Sequence, residues 1–205
     1  MKLQNTLFIV VLFLLSTGSL YSVEKTKEIS LKSAVIFNTL CAKCHEGQCS
    51  GRLSFDTGSE AASSHIKRYA NDSKISNYEV KEFFALLNYM KKECHLFMPS
   101  DIKWKTDNLL DFTTASHKRY FIPLGKLESG KYRLHIQAKE GTDFSFEVIS
   151  SQFDSILYQS VYSHTEEKVF NFTLDKSTNY FLRIHSKKPL HFKGLKLLPY
   201  LNNPS

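Results

Sequence analysis

The chain has 205 residues, and 27 lysines and arginines against 20 aspartates and glutamates give a formal net charge of +7. The basic residues form no stripe interleaved with aromatics, which disfavours a nucleic-acid-binding protein. The sequence has no G-x-S-x-G or H-E-x-x-H motif and no carboxylate pair whose spacing would place the two groups together. We therefore expect no enzyme activity from the side chains.

Residues 1–22 have the pattern of a secretory signal peptide. Lys2 forms a short positive segment, Leu7 to Leu15 is an unbroken apolar run, and small residues such as Ser19 and Ser22 follow. The run is too short for a finished transmembrane helix. We expect a periplasmic or otherwise exported protein with an unclear cleavage point; an uncleaved membrane anchor is the alternative.

Three helices are predicted after the signal peptide. In "SLKSAVIFNTLCAKCH", Ser30 is a candidate N-cap for a short helix. A second helix is predicted from about Ser59 to Ala70, with Thr57 and Glu60 spaced as a capping box. A third begins at "SNYE", where Ser76 and Glu79 form an S-x-x-E capping box. Its apolar stripe consists of Val80, Phe83, Phe84, Leu87, Met90 and Cys94, and Phe97 extends it.

The motif that carries chemistry is "CAKCH", with Cys41, Cys44 and His45 in C-x-x-C-H spacing. Residues at i, i+3 and i+4 share one helix face, so two thiols can add to the two vinyl groups of one haem and the imidazole can bind its iron. Zinc would usually need a second ligand pair, and a thioredoxin-like dithiol would need a βαβ context. We therefore predict one haem c, covalently attached through Cys41 and Cys44, with His45 as an axial ligand.

From about residue 30 to 112 the chain resembles a monohaem class I cytochrome c. "LCAKCH" ends a first helix, "SNYEVKEFFALLNYM" looks like the helix that packs across it, and Met98 with Pro99 looks like the sulfur ligand and its following proline. The resemblance implies an all-α haem domain that transfers single electrons, with Met98 as the sixth iron ligand and Pro99 ending the preceding helix. In such cytochromes the Met-Pro loop normally precedes the last helix, whereas Met98 follows the strongest one.

The sixth ligand therefore has alternatives to Met98. His95 would give a low-potential bis-histidine haem, and Cys94 would give a thiolate ligand. An open site, or ligation by His65, is a further possibility. Cys94 has a second possible role, because two spare cysteines in an oxidising compartment usually pair and Cys49 is the other spare cysteine. A disulfide between Cys49 and Cys94 would exclude Cys94 as an iron ligand.

From His117 onward the hydrophobic period falls to two. "KYRLHIQAK" alternates apolar and polar residues without error, and "DFSFEV", "VFNFTL" and "NYFLRIH" do the same. With "RYFIPL", "SILYQSVY" and "LHFKGLKLL" this gives about seven strands separated by turn signals. We predict an all-β sandwich with a jelly-roll or immunoglobulin-like layout. It is similar to the accessory sandwiches of secreted bacterial enzymes, such as carbohydrate-binding modules and pre-peptidase C-terminal domains.

The predicted organisation is α + β in two domains. Residues 1–22 are the signal peptide, 23–112 the cytochrome c-like haem domain, 113–116 a linker and 117–205 the sandwich. Because the periodicity changes between residues 100 and 116, we expect a cut there to leave two folded fragments.

The first functional hypothesis is an exported electron carrier. Its sandwich would dock it to a redox partner, which we expect to have an acidic docking surface, or to the cell envelope. A second hypothesis is a binder or sensor of a diatomic gas such as NO or CO, with a weak or unusual sixth ligand. A third is a polysaccharide- or protein-binding module in which haem is structural.

Overall fold

The computed structural model describes residues 29–46, 49, 58–70, 75–99, 102–162 and 166–200. The predicted signal peptide, residues 1–22, and Thr57 of the second capping box lie outside these ranges. Within them, no helix combines the length and the apolar character that a membrane crossing requires.

The first half of the described chain is helical. Its elements are helix α1 (Leu31–Ile36), a π-helical turn (Phe37–Cys41), α2 (Ala42–His45), α3 (Ser59–Tyr69), α4 (Asn77–Glu93) and a 3-10 helix (Thr106–Phe112). Ser30 caps α1 as predicted, because its hydroxyl accepts from the Ser33 backbone N–H at 3.2 Å. The Ser30 and Ser33 hydroxyls also donate to the Glu82 carboxylate at 2.9 and 2.6 Å, which joins α1 to α4.

Helix α4 begins at the predicted capping box. The Ser76 N–H donates to the Glu79 carboxylate at 2.7 Å, and the Glu79 N–H donates to the Ser76 hydroxyl at 3.2 Å. The expectation that Pro99 ends this helix is wrong: α4 ends at Glu93, and Cys94 adopts the left-handed conformation, with φ 57°. A left-handed C-cap ends a helix because the chain turns away while the last carbonyls are still satisfied.

The second half is the predicted antiparallel sandwich. The described residues form seven strands: β1 (Arg119–Leu127), β2 (Gly130–Ala138), β3 (Phe144–Ser150), β4 (Ser155–Val161), β5 (Lys168–Leu174), β6 (Thr178–Ser186) and β7 (Phe192–Pro199). One sheet has the order β1-β6-β3-β4, and the other has the order β5-β2-β7. Their inner faces meet in an aromatic core in which Tyr120 and Phe144 contact Phe192, and Phe146 contacts Phe170. The overall class is therefore α + β.

Helix α1 and the π-helical turn pack against β1 on the outer face of the four-stranded sheet, and the 3-10 helix packs against β1 and β7. Phe121 of β1 and Phe181 of β6 stack there with ring centres 5.0 Å apart, and both are buried. The helical residues and the strand residues belong to one hydrophobic cluster. The Leu96 N–H donates to the Ser151 carbonyl at 2.8 Å, and the Thr106 hydroxyl donates to the Leu195 carbonyl at 3.2 Å. This shared core argues against separate folding of the two halves; the residue bounds of the two domains stay a prediction.

Candidate functional site

The CAKCH motif lies where the π-helical turn passes into α2. Cys41 is the last residue of the turn, and Cys44 and His45 lie in α2. A π-helical turn inside a helical segment is rare and frequently marks a functional site. The buried Asn38 amide donates to the Phe97 carbonyl at 2.8 Å, so the turn is fixed to the segment that follows α4.

The motif forms one side of a cavity of about 240 Å³. Its apolar lining consists of Phe37, Leu40, Ile66, Phe83 and Leu87, and its remaining lining residues are Cys41, Cys44, His45, His65 and Tyr69. Three helical segments therefore contribute: the motif itself, one face of α3, and the middle of α4. The cavity combines apolar walls with two thiols and two imidazoles.

Neither motif cysteine is in a disulfide. Burial, and then the neighbouring Cys44, raise the pKa of the Cys41 thiol to about 12, so this group is a neutral thiol at physiological pH. Cys44 is exposed. The predicted attachment residues are thus present as a pair of thiols on one wall of the cavity.

The other two cysteines form a disulfide. Cys49 and Cys94 are joined with their Cα atoms 5.2 Å apart, which is within the usual range for such a bond. The bond connects the segment after the motif to the C-cap of α4. It also removes Cys94 as a thiolate ligand, because its sulfur is already bonded.

Met98 and His95 lie at a different place from the motif. Both line a second cavity between the end of α4 and the outer face of the four-stranded sheet, with Tyr89, Pro123 and Phe181 among its walls. The His95 ring nitrogen Nδ1 lies 2.6 Å from the Glu93 carbonyl oxygen. Neither residue lines the cavity of Cys41, Cys44 and His45, so the structure does not bring the predicted sixth ligand together with the predicted fifth.

His65 is the residue that the structure does bring to the motif. Its ring centre lies 6.4 Å from that of His45, with an angle of 69° between the ring planes. Its other aromatic neighbour is Tyr69, one helical turn further along α3, at 4.7 Å between ring centres. The sequence contains one signal for this arrangement: His65 and Tyr69 have i, i+4 spacing on a predicted helix and flank the buried Ile66.

An ion-pair network joins the motif to the sandwich. Arg183 of β6 contacts the carboxylate of Glu46, the residue directly after His45, and also that of Glu147 on β3 at 3.2 Å. The Arg183 side chain is only 8% exposed, and its guanidinium lies over the Phe121 ring at 5.9 Å. Phe121 and Glu147 are each a direct cross-strand partner of Arg183, so all three side chains lie on the same, outer face of the sheet.

The sandwich histidines have acidic neighbours. The His135 ring lies 3.3 Å from the Glu167 carboxylate, and the His191 ring lies 3.6 Å from that of Glu140. Throughout the part of the chain that the structure describes, no group of three or more His, Cys, Asp or Glu residues could hold a metal ion.

Comparisons with known proteins concern only the sandwich. No family model matches the sequence, and no curated protein matches it. A CBM4 module structure is 15% identical with a TM-score of 0.33, over 43% of this chain and 64% of that one. CBM35 from Cellvibrio japonicus Abf62 is 10% identical with a TM-score of 0.33, over 43% and 72%. The EclA C-terminal domain, a sugar-binding protein, is 12% identical with a TM-score of 0.28, over 40% and 69%.

Proposed function

We propose that the protein is an exported carrier of single electrons that holds one covalently attached haem c. The observation that supports this most directly is the cavity in which Cys41, Cys44 and His45 share apolar walls with a second imidazole. Two unpaired thiols in C-x-x-C-H spacing, on a cavity with few polar groups, are the donor set and the environment that a haem c requires.

Each residue of the cavity has a role in this proposal. Cys41 and Cys44 would hold the macrocycle through thioether bonds, and His45 would bind the iron. The aromatic and aliphatic walls, among them Phe37 and Phe83, exclude water and lower the local dielectric. When bound, the haem supplies a one-electron couple between two iron oxidation states, and its potential is set by ligands and burial.

A cluster of basic residues beside the motif supports an acidic redox partner. Arg119 and His185 are direct cross-strand partners at the edge of the four-stranded sheet. Burial, and then the positive charges of Arg119, Lys43 and Lys187, lower the pKa of His185. Lys43 lies inside the CAKCH motif, so these basic groups lie on the same side of the molecule as the motif and would steer a negatively charged partner there.

Haem attachment is tested by expressing the chain with its signal sequence in a bacterium that makes c-type cytochromes. We expect the mass of the purified protein to exceed the polypeptide by one haem, and the haem to resist acid-acetone extraction. Cys41→Ala with Cys44→Ala should lose it. The matched control is Cys49→Ala with Cys94→Ala, which removes two cysteines that do not line the cavity and should retain the haem. A wild-type protein that contains no haem, or haem that extracts freely, refutes the proposal.

The charge of the partner is tested with two small oxidants of the reduced protein. We expect the rate with anionic ferricyanide to fall with rising salt and to fall in Lys187→Glu, and the rate with a cationic cobalt phenanthroline complex to change in the opposite direction. Lys131→Glu is the control, because this exposed residue lies on β2 of the other sheet. Equal effects of the two substitutions would contradict a steering surface at the motif.

A second candidate function, polysaccharide binding by the sandwich, rests on two exposed tyrosines. Tyr158 of β4 is 58% exposed and Tyr162 is 70% exposed. Tyr158 lies within edge strand β4, and Tyr162 directly follows the end of this strand at Val161. Exposed aromatic rings of this kind offer an apolar face with a polar tip. Co-sedimentation with insoluble polysaccharides tests it: Tyr158→Ala with Tyr162→Ala should abolish any binding, and Tyr69→Ala should not.

A further inference from the structure

We propose that His65 is the second axial ligand of the haem iron, opposite His45. The inference rests on the proposed function, because it assigns a residue to the haem that Cys41 and Cys44 would hold. It replaces Met98 as the sixth ligand and makes the site a closed, bis-histidine one.

The separation of the two imidazoles supports this assignment quantitatively. An imidazole nitrogen bonds a transition metal at about 2 Å, and the ring centre lies roughly 1.2 Å behind that nitrogen. Two imidazoles on opposite sides of one iron therefore have ring centres about 6.4 Å apart. The ring centres of His45 and His65 are 6.4 Å apart. The angle of 69° between the ring planes excludes face-to-face stacking, and the distance equals the one expected for two imidazoles on opposite sides of one iron.

The packing of α3 explains why His65 points toward the motif. Ala62 and Ile66 of this helix are buried against α4, and the Lys67 ammonium donates to the Asn77 carboxamide oxygen at 2.9 Å. These contacts fix the rotation of α3 about its axis. His65 is adjacent to Ile66, so this rotation places its ring at the cavity, together with that of Tyr69 one turn later.

The other sequence-predicted ligands are held elsewhere. Met98 and His95 line the cavity between α4 and the sheet, and Cys94 is bonded to Cys49. Tyr69 is the remaining side chain of the haem cavity with an oxygen that could bind iron, and it therefore needs its own control.

Bis-histidine ligation has consequences for function. Both axial positions are filled by protein, so the reduced iron does not bind CO readily, which favours electron transfer over gas sensing. Methionine raises the potential of a haem relative to histidine, so the potential should be lower than that of a His–Met cytochrome c.

The test uses the holoprotein and its variants, with covalent haem content measured first. We expect wild type to be low-spin in the oxidised state, without the far-red sulfur-to-iron band, and not to bind CO. His65→Ala should keep its haem but become high-spin and bind CO, and added imidazole should restore the low-spin spectrum. This rescue would not occur if His65 were needed only for folding. Tyr69→Phe and Met98→Ala should both keep the wild-type spectrum.

Two results would overturn the assignment. A far-red band that Met98→Ala abolishes would return the ligand to Met98, and a His65→Ala spectrum identical to wild type would exclude His65. In both cases covalent haem is present, so the proposed function stands while the ligand assignment fails. Absence of covalent haem from wild type would refute the proposed function and the assignment together.

Discussion

Replacement of Arg183 by methionine should destabilise the whole chain, because this residue connects the sandwich to the motif. Its guanidinium contacts Glu46 and Glu147, whose side chains are only 19% and 17% exposed. Arg183→Met keeps a side chain of similar length and leaves two largely buried carboxylates without their cation. Removing one partner of a buried ion pair typically costs about 3–5 kcal/mol.

Urea and thermal unfolding, followed by circular dichroism, measure this cost. For a chain of this size each kcal/mol shifts Tm by roughly 2–4 °C, so we expect Tm to fall by about 6–20 °C. The matched control is Lys196→Met, which removes an exposed cation from β7 and should cost no more than about 0.5 kcal/mol.

A triple variant separates lost charge pairing from lost packing. Adding Glu46→Gln and Glu147→Gln to Arg183→Met removes the two uncompensated charges, so much of the stability should return. The reasoning is refuted if Arg183→Met costs less than about 1 kcal/mol, since the network would then not couple the motif to the sheet.

Four further perturbations test other parts of the fold. Cys49→Ala with Cys94→Ala opens a loop whose ends are 45 residues apart. Loop entropy predicts that the variant loses about 4 kcal/mol in the free energy of urea unfolding under oxidising conditions. When the disulfide of wild type is reduced, the two proteins should be equally stable. Phe181→Ala removes a ring that is 4% exposed and should cost about 3–5 kcal/mol. Ser76→Ala removes the N-cap of α4 and should cost about 1 kcal/mol. Burial alone would raise the pKa of the Glu79 carboxyl, but hydrogen bonds from Lys32 and Ser76 lower this pKa overall. The contribution of Glu79 to the free energy of unfolding is therefore complete above about pH 4.5 and is lost as pH falls through the lower folded-state pKa. Glu79→Gln should remove this acid-dependent part of the unfolding curve.

The features that local chemistry specifies could be predicted from the sequence. The strands follow from short apolar segments between turn residues, with period-two alternation clearest in β2, and the caps of α1 and α4 follow from Ser30 and Ser76. The pairing of Cys49 with Cys94 could be raised only as an alternative, since the spacing of two spare cysteines does not fix the distance between them.

The packing of helices on the sheet has a signal in the sequence of its strands. Residues 120–124 of β1 and 180–184 of β6 are buried without interruption, because both faces of these strands are covered. A strand that is covered on both faces has a continuous apolar run, whereas β2, with one half-buried face, alternates. "YFIPL" in β1 was therefore evidence of a covering layer, and the helices are that layer.

The choice between Met98 and His65 could not be made from the sequence, because it depends on where α4 ends. The left-handed C-cap at Cys94 ends α4 before Met98, and Met98 lines the cavity against the sheet. His65 lines the motif cavity from α3.

Helix α4 controls both imidazoles of the candidate site. It supports α3 through Ala62 and Ile66, which positions His65, and its C-cap is bonded through the disulfide to the segment after His45. The two histidines lie on separate helices, so neither helix alone can fix the 6.4 Å between their rings. A perturbation of the α3–α4 contact should therefore change the ligation of the proposed haem iron while leaving the proposed thioether bonds intact, because Cys41 and Cys44 belong to one continuous helical segment and His65 does not.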